Sequence, residues 1–214
     1  MQPSAEIRWF WPNNVPPRVR DWYFEAAVVG GGSLRRDEYL VGSGLTEIGI
    51  KRRDVRPGSP LRVIEIKGLV DVVEPGLDLG SGNAKMERWL KWTCPSIDFS
   101  ADRSLNVDKT RWLRKFSICE QTVTEIPLNT GEKPIDTTVS LPLEGCNVEL
   151  TKITLDRIAG TEWFTVGMEA FGELDSVVRN LRQVADLLNL RTLPGLTSEH
   201  QMNYPTWLRM LADR

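Results

Sequence analysis

The segments IGIKRR (residues 48–53) and LRVIEIK (residues 61–67) decide the fold that the sequence predicts. Apolar and charged residues alternate in both segments, and Gly and Pro cluster between them. Side chains two residues apart point to one face of a strand, so this period predicts half-buried β-strands. Lys51 and Arg53 would share one face, and Ile48 and Ile50 would share the other. Short strands separated by such turn residues are typical of a meander or barrel.

The same alternation recurs along most of the chain. Strands are predicted over residues 4–11, 34–41, 46–53, 60–68, 107–118, 146–155 and 161–171. A helix near 16–27 follows the start signal Pro16-Pro17, and a second helix is predicted over 173–190, where apolar residues recur at helical spacing. Glycine and polar residues predict loops over 71–83 and 129–142, with a short helix over 85–92 between them.

Length and composition fit one domain over residues 1–214, in which residues 173–214 form a helical part that packs on the sheet. The chain has 214 residues, of which 41% are hydrophobic and 26% are charged, enough to build a sizeable core. Its formal net charge of −2 argues against a general nucleic-acid or membrane surface. Any attraction for anions must therefore come from local clusters of Lys and Arg.

Cysteine and histidine usage excludes an ordinary zinc site. The three cysteines, Cys94, Cys119 and Cys146, lack the spacing of metal ligands, and His200 is the single histidine. Reduced thiols are the expectation. The first residues do not read as a basic start followed by an apolar run, and no eighteen apolar residues occur in succession. We expect a soluble, cytoplasmic protein that binds neither nucleic acid nor membrane.

Cations recur on one face of several predicted strands. Lys51 and Arg53 share a face, Lys67 shares one with Glu65, and Lys109 shares one with Arg111. A solvated outer face is the more common explanation of any one of these pairs, and their recurrence on several strands weakens it. If the faces meet inside a closed sheet, their repulsion requires counter-charges or a bound anion, and Arg grips phosphate oxygens bidentately. A polyphosphate would satisfy such an arrangement.

A series of short landmarks then resembles the CYTH, or triphosphate tunnel, family in order across nearly the whole chain. The landmarks are Glu6-Ile7-Arg8, Arg36-Asp37-Glu38-Tyr39-Leu40, Lys51-Arg52-Arg53, Glu65-Ile66-Lys67-Gly68, Lys109-Thr110-Arg111, Glu149, Glu169 and Tyr204-Pro205-Thr206-Trp207-Leu208. The resemblance implies an α+β fold, an antiparallel β-barrel tunnel with flanking helices, in which basic residues hold a triphosphate and carboxylates hold Mg or Mn.

The resemblance also implies roles for individual residues. Glu6 and Glu65 would be catalytic carboxylates, and Glu149 and Glu169 would bind the metal. The implied phosphate-binding cations are Arg8, Lys51, Arg53, Lys67, Lys109, Arg111 and Arg114.

The chain departs from the family pattern in its first and last strands. The family alternates Glu, Glu and Lys on one face of the first strand, whereas the same spacing here gives Glu6, Arg8 and Phe10. Near the last strand, Gly167 precedes Glu169 where the family tends to carry two carboxylates. Fewer oxygen ligands and an added cation should weaken any Mg or Mn site. Arg8 would instead replace part of the metal's charge.

The expected function is therefore to bind a triphosphate, a polyphosphate or another phosphorylated small-molecule anion, with weakened or lost metal-dependent phosphohydrolase activity. Two alternatives stay open: an active Mg- or Mn-dependent triphosphatase, and a non-catalytic adaptor that uses the barrel as a scaffold.

Two glycine-rich motifs suggest other nucleotide chemistry. Gly30-Gly31-Gly32 lacks the Gly-Lys-Ser/Thr ending of a phosphate-binding loop. Residues 77–83 (LDLGSGN) resemble the first motif of S-adenosylmethionine-dependent methyltransferases, which requires a buried strand before it and a helix after it. The flanking segments read as strands interrupted by Pro75 and Gly76, so a methyltransferase is a remote alternative.

Overall fold

The structure is a computed structural model that describes residues 1–25, 32–42, 46–53, 55, 63–94, 104–156 and 161–212. This part of the chain forms nine strands and three α-helices. The strands are β1 (Gln2–Pro12), β2 (Ser33–Leu40), β3 (Ile48–Arg52), β4 (Ile64–Asp78), β5 (Asn83–Cys94), β6 (Ser104–Cys119), β7 (Thr122–Ile126), β8 (Gly145–Leu155) and β9 (Trp163–Phe171). The helices are α1 (Pro17–Glu25), α2 (Val177–Leu187) and α3 (Tyr204–Ala212), with short 3₁₀ turns at Leu190–Thr192 and Ser198–His200.

Eight strands close into an antiparallel barrel. The strands pair in the order β2-β3-β4-β5-β1-β9-β8-β6, and β6 pairs again with β2. The long strand β6 carries β2 along the first half of one edge and β7 along the second half. The predicted α+β fold, an antiparallel barrel with flanking helices, is confirmed.

The predicted loop over 71–83 and the predicted helix over 85–92 are wrong. Strand β4 continues to Asp78, and β5 begins at Asn83, so the two form a long hairpin. Pro75 is accommodated because the strand pairing is irregular between Val73 and Leu77. Trp89 and Leu90 of the predicted helix are neighbours on opposite faces of β5.

The methyltransferase-like motif is the turn of this hairpin. The backbone N–H of Leu79 donates to the carbonyl of Gly82, and Gly80 has a φ of 75° that favours glycine. A strand, not a helix, follows the turn, and the sheet is antiparallel throughout its described pairings. The structural context that the motif requires is therefore not found here. Gly30 and Gly31 of the other glycine-rich motif, and Leu61 and Arg62 of a predicted strand, lie outside the described residues.

The alternation along β1 divides the barrel into an outer and an inner face. Ala5, Ile7, Trp9 and Trp11 are buried on the outer face, where they pack against α1 and α2. The apolar residues of α2 recur at helical spacing and cover β1, β8 and β9. Tyr23 of α1 donates its hydroxyl to the Trp112 carbonyl at 2.7 Å. Residues 4, 6, 8 and 10 of β1 consequently face the barrel interior.

Helix α3 packs against an apolar layer at one end of the interior. Five of the strands supply this layer's inward-facing members: Phe10, Tyr39, Leu105, Val107, Ile153, Leu155 and Trp163. Trp207 of α3 stacks on Phe10 with ring centroids 4.9 Å apart and planes at 13°. The layer thus ties the C-terminal helix to the barrel and leaves the charged inward residues in the next layer.

The cysteines Cys94, Cys119 and Cys146 are free thiols. Within the described part of the chain, no helix combines the length and the apolar character needed to cross a membrane.

Replacing Trp207 with Ala is expected to lower the free energy of unfolding by about 3–5 kcal/mol, because a fully buried indole leaves a cavity against Phe10. Leu187→Ala is the control, since that side chain is 55% exposed and its truncation should cost less than about 0.5 kcal/mol. Urea denaturation at 25 °C measures both. Equal costs would contradict the role given to α3.

Candidate functional site

A charged cavity lies in the barrel interior beside the apolar layer. Its volume is about 100 Å³, it is partly open to solvent, and α3 forms one of its walls through Tyr204, Pro205 and Leu208. Nine basic and four acidic side chains line it. They are Arg8, Arg35, Lys51, Arg53, Lys67, Lys91, Lys109, Arg111, Arg209, Glu6, Glu65, Glu149 and Glu169.

The structure brings ten of the eleven predicted site residues to this cavity. Strand alternation is the cause, because nine of them occupy inward positions of their strands and Arg53, the residue after β3, continues the alternation of Lys51. Arg114 is the exception: it lies on the opposite face of β6, where its guanidinium binds Glu125 of β7 at 2.8 and 2.6 Å and packs over Phe116. The structure therefore does not place Arg114 with the others.

Several lining residues were missed from the sequence. Lys91 was hidden by the wrong helix over 85–92, although Trp89 and Lys91 share a face once that segment is read as a strand. Arg35 alternates with Asp37 and Tyr39 in β2, a signal that was present in the sequence. Tyr204 reaches the cavity from α3, and no local pattern predicts this contact.

The carboxylates are shared between cations. Glu65 binds Lys51 at 2.6 Å and Arg53 at 3.2 Å. Lys67 binds Glu169 at 2.8 Å and also contacts Glu6. Such pairing holds the cations in place while limiting their mutual repulsion.

Two further carboxylates, which are not themselves among the lining residues, bind lining cations. Asp37 is fully buried and contacts Arg35 at 2.9 Å and Lys109 at 3.2 Å. Glu132, from the loop between β7 and β8, binds Arg111. Even with these two counted, basic side chains outnumber carboxylates by nine to six. The cavity as described is therefore electropositive.

The two departures from the family pattern, Arg8 in the first strand and Gly167 in the last, lie side by side in the barrel wall. Arg8 on β1 lies directly opposite Gly167 on β9, and Gly167 lies opposite Glu149 on β8. The Arg8 guanidinium passes over Gly167 and binds Glu149 at 2.5 Å. A Cβ atom at position 167 would lie 2.5 Å from Cζ of Arg8, closer than any real contact. Arg8 can reach Glu149 only because residue 167 has no side chain.

A divalent metal does not fit this donor set. The described residues contain no group of three or more His, Cys, Asp or Glu side chains arranged to hold a metal ion. Glu149 is bound by Arg8 and Arg111, and Glu169 is bound by Lys67, with Lys91 at 3.8 Å. Mg needs several oxygen ligands, and here cationic nitrogens already occupy those oxygens. Metal binding by Glu149 and Glu169 stays a prediction that this geometry does not favour.

The neighbouring cations set the pKa values of the carboxyl groups. Burial alone raises the pKa of Glu149, but Arg8 and then Arg111 outweigh it and lower the pKa to about 2. Burial also raises the pKa of Glu65, but Lys51 and Arg53 outweigh this effect and lower the pKa to about 2. Both groups are ionised at neutral pH and are weak bases.

Lys109 lies between aromatic rings. Its Nζ donates to the Tyr39 hydroxyl at 2.6 Å and lies 4.4 Å from the centroid of the Tyr204 ring. Burial lowers the pKa of Lys109 well below its usual range, and the positive charges of Arg35 and Lys51 act in the same direction. The negative charge of Asp37 opposes them but does not outweigh them. An added anion near Lys109 would favour its charged form. The Tyr204 hydroxyl is buried and has no hydrogen-bond partner among the described atoms.

Three solved structures resemble the chain. The PH1819 protein from Pyrococcus horikoshii OT3 is 14% identical with a TM-score of 0.46, and the match covers 99% of each chain. A conserved hypothetical protein from Pyrococcus furiosus is 11% identical with a TM-score of 0.41, covering 95% of this chain and 98% of that one. The RNA triphosphatase domain of a trifunctional mimivirus mRNA capping enzyme is 9% identical with a TM-score of 0.44, covering 89% and 88%.

No family model matches the sequence, and no curated protein matches it significantly. The fold described above is established by the strand pairings of the chain itself.

Acid is expected to destabilise the protein through Glu149 and Glu65. Their pKa values of about 2 in the folded state lie below the ordinary value, so they stabilise the fold above about pH 5 and lose this effect as the pH falls toward 2. Lowering the pH from 6 to 3 should reduce the free energy of unfolding by on the order of 2 kcal/mol for each of the two carboxyl groups. Glu149→Gln should be less stable than the unchanged chain at pH 6 but closer to it at pH 3, as measured by urea denaturation. Parallel pH profiles for the two proteins would contradict this assignment.

Gly167→Ala should displace Arg8 from Glu149 and lower the unfolding free energy by about 1–3 kcal/mol, because a buried charged pair is broken. Gly68→Ala is the matched control on β4, since its Cβ would meet the Trp92 ring at an ordinary 3.5 Å. Thermal and urea denaturation measure both changes. If Arg8 is the cause, Gly167→Ala should cost much less in an Arg8→Gln background, and an unchanged cost there would rule it out.

Proposed function

We propose that this chain is a CYTH-like tunnel protein that binds a triphosphate, a polyphosphate or another phosphorylated anion without a metal, and that its phosphohydrolase activity is weakened or lost. One observation carries the proposal: five predicted cations, Lys51, Arg53, Lys67, Lys109 and Arg111, meet in one electropositive cavity. Cations from strands far apart in sequence converge there, which a solvated outer face would not produce.

The arrangement suits an extended anion with several charges. Lys51, Arg53 and Lys67 come from β3, the residue after it and β4, whereas Lys109 and Arg111 come from β6 on another part of the wall. An oligophosphate presents oxygens along its length and could contact both groups at once. Guanidinium groups bind such oxygens in pairs, and ammonium groups act as point charges. A single phosphate group would engage only part of this set.

Arg8 supplies a fixed positive charge in the same wall. Its guanidinium is held by Glu149 and lies 4.9 Å from the centroid of the Tyr204 ring. A guanidinium can offset phosphate charge, but it cannot lower the pKa of a bound water as a metal ion does. This position therefore supports holding the anion better than hydrolysing it.

The carboxylates are also poor candidates for general bases. Efficient proton transfer requires a base whose pKa lies near the operating pH. Glu65 and Glu149 have pKa values of about 2, and both are engaged by cations. Without a metal and without a matched base, activation of the attacking water is weak.

Isothermal titration calorimetry with tripolyphosphate in the presence of EDTA tests the proposal. Lys51→Gln is expected to weaken binding about tenfold or more, since a charge-assisted contact is lost. Arg52→Gln is the matched control, because Arg52 is the next residue on β3, faces outward and binds Glu38 at 2.6 Å. The affinity of the Arg52→Gln variant for tripolyphosphate should stay within about twofold of that of the unchanged chain.

Phosphate release is measured in the same samples with Mg, with Mn and with EDTA. Tight binding in EDTA without turnover is the expected result. Metal-dependent release that Glu65→Gln abolishes would instead identify an active triphosphatase. Failure to bind any tested polyphosphate would contradict the proposal and leave the barrel as an adaptor scaffold.

A further inference from the structure

Glu132 occupies the groups that Arg111 would use to bind phosphate. Its two carboxylate oxygens bind two nitrogens of the Arg111 guanidinium, with Nε at 2.8 Å and Nη2 in closer contact. The third nitrogen, Nη1, lies 3.4 Å from Glu149. Bidentate pairing with a carboxylate uses the same N–H groups that pair with two phosphate oxygens. An anion and Glu132 cannot hold this edge of Arg111 together.

Glu132 differs from the other described partners of the lining cations because it is not part of the barrel wall. Glu6, Asp37, Glu65, Glu149 and Glu169 are all strand residues, whereas Glu132 belongs to the loop between β7 and β8. A strand carboxylate is fixed by its ladder of hydrogen bonds. A loop carboxylate can withdraw without breaking the sheet.

The loop holds Glu132 against Arg111 in a defined conformation. The segment from Asn129 to Glu132 forms a tight turn between the bridged residues Leu128 and Pro134, and the Glu132 N–H donates to the Asn129 carbonyl at 2.9 Å. Glu132 has a φ of 60°, a left-handed conformation that residues with a Cβ atom rarely adopt. The Ser33 hydroxyl donates to its carboxylate as well. This disfavoured backbone conformation is kept at the residue that binds Arg111.

We propose that Glu132 is an internal competitor of the anion for Arg111, and that it sets the minimum charge of the anion that the cavity accepts. The inference rests on the function proposed above. An oligophosphate that engages several lining cations gains enough to displace the loop carboxylate, whereas orthophosphate engages few of them and does not. The competitor thus lowers the affinity of any anion that uses Arg111, and an anion with few other contacts falls below the affinity at which binding is detectable.

A supporting role is the opposing possibility. Glu132 would then orient Arg111 for the anion, and both would stay in place on binding. The two roles predict opposite changes when the carboxylate loses its charge: a competitor that is weakened improves anion binding, and an orienting partner that is weakened impairs it.

The test is calorimetric titration of Glu132→Gln with tripolyphosphate and, separately, with orthophosphate, both in EDTA. Glutamine keeps the size of the side chain but gives up the charge, and Glu132 is only partly buried at 23% side-chain exposure, so the fold should be retained; circular dichroism checks this. Tripolyphosphate binding should tighten about tenfold. Orthophosphate affinity should rise by the same factor or less, because removing the competitor returns at most the cost of displacing it, and orthophosphate binding should become detectable only in Glu132→Gln.

Glu125→Gln is the matched control. Glu125 binds Arg114 with the same bidentate geometry, at 2.8 and 2.6 Å, on the opposite face of β6 and away from the cavity. The affinity of the Glu125→Gln variant for tripolyphosphate and for orthophosphate should match that of the unchanged chain.

The outcomes separate this inference from the proposed function. If the unchanged chain binds tripolyphosphate and Glu132→Gln binds it equally well or more weakly, the competitor role is overturned and the proposed function stands. Binding that appears only in Glu132→Gln supports both. If neither protein binds any phosphate chain, the proposed function fails and the inference fails with it. An equal gain in Glu125→Gln also overturns the inference, because the effect would then be general electrostatics.

Discussion

The ion pair between Arg8 and Glu149, formed across Gly167, is the interaction on which the cavity wall depends. It joins β1 to β8 over the intervening strand β9, and it requires the glycine, since a Cβ atom there would collide with the guanidinium. The pair also places a permanent cation among carboxylates. One contact therefore accounts for the missing side chain at position 167, the low pKa of Glu149 and the poor fit of a divalent metal.

Other lining cations are likewise held by ion pairs, in which one charged group is shared between two partners of opposite charge. Glu65 and Asp37 each hold two cations, and Lys67 bridges two carboxylates. Breaking a buried pair leaves an uncompensated charge, so each shared carboxylate stiffens the wall while the whole stays electropositive. These shared contacts hold the cations of the wall in fixed positions.

The aromatic layer and α3 give this wall its boundary. Phe10, at the position of the lysine in the family pattern, stacks on Trp207 and belongs to the apolar layer rather than to the charged one. Tyr204 then connects the two layers, because its ring packs edge-on against Phe10 and faces both Lys109 and Arg8. The C-terminal helix is thus a part of the cavity as well as of the core.

The sequence by itself determined which side chains share a face on most strands, but not which face turns inward. Alternation of period two is a local property, so Lys51 and Arg53, and likewise Lys109 and Arg111, could be assigned to one face before any fold was known. The same parity already separated Arg114 from Lys109 and Arg111. It failed over residues 71–92, where Pro75 and glycines masked the β4–β5 hairpin and with it Lys91. Only the tertiary structure decided which strands meet, and therefore that Gly167 makes room for Arg8, that Tyr204 reaches Lys109 and that Glu132 engages Arg111. These contacts join residues far apart in the chain, and the closure of the barrel that brings them together leaves no periodic signal in the sequence.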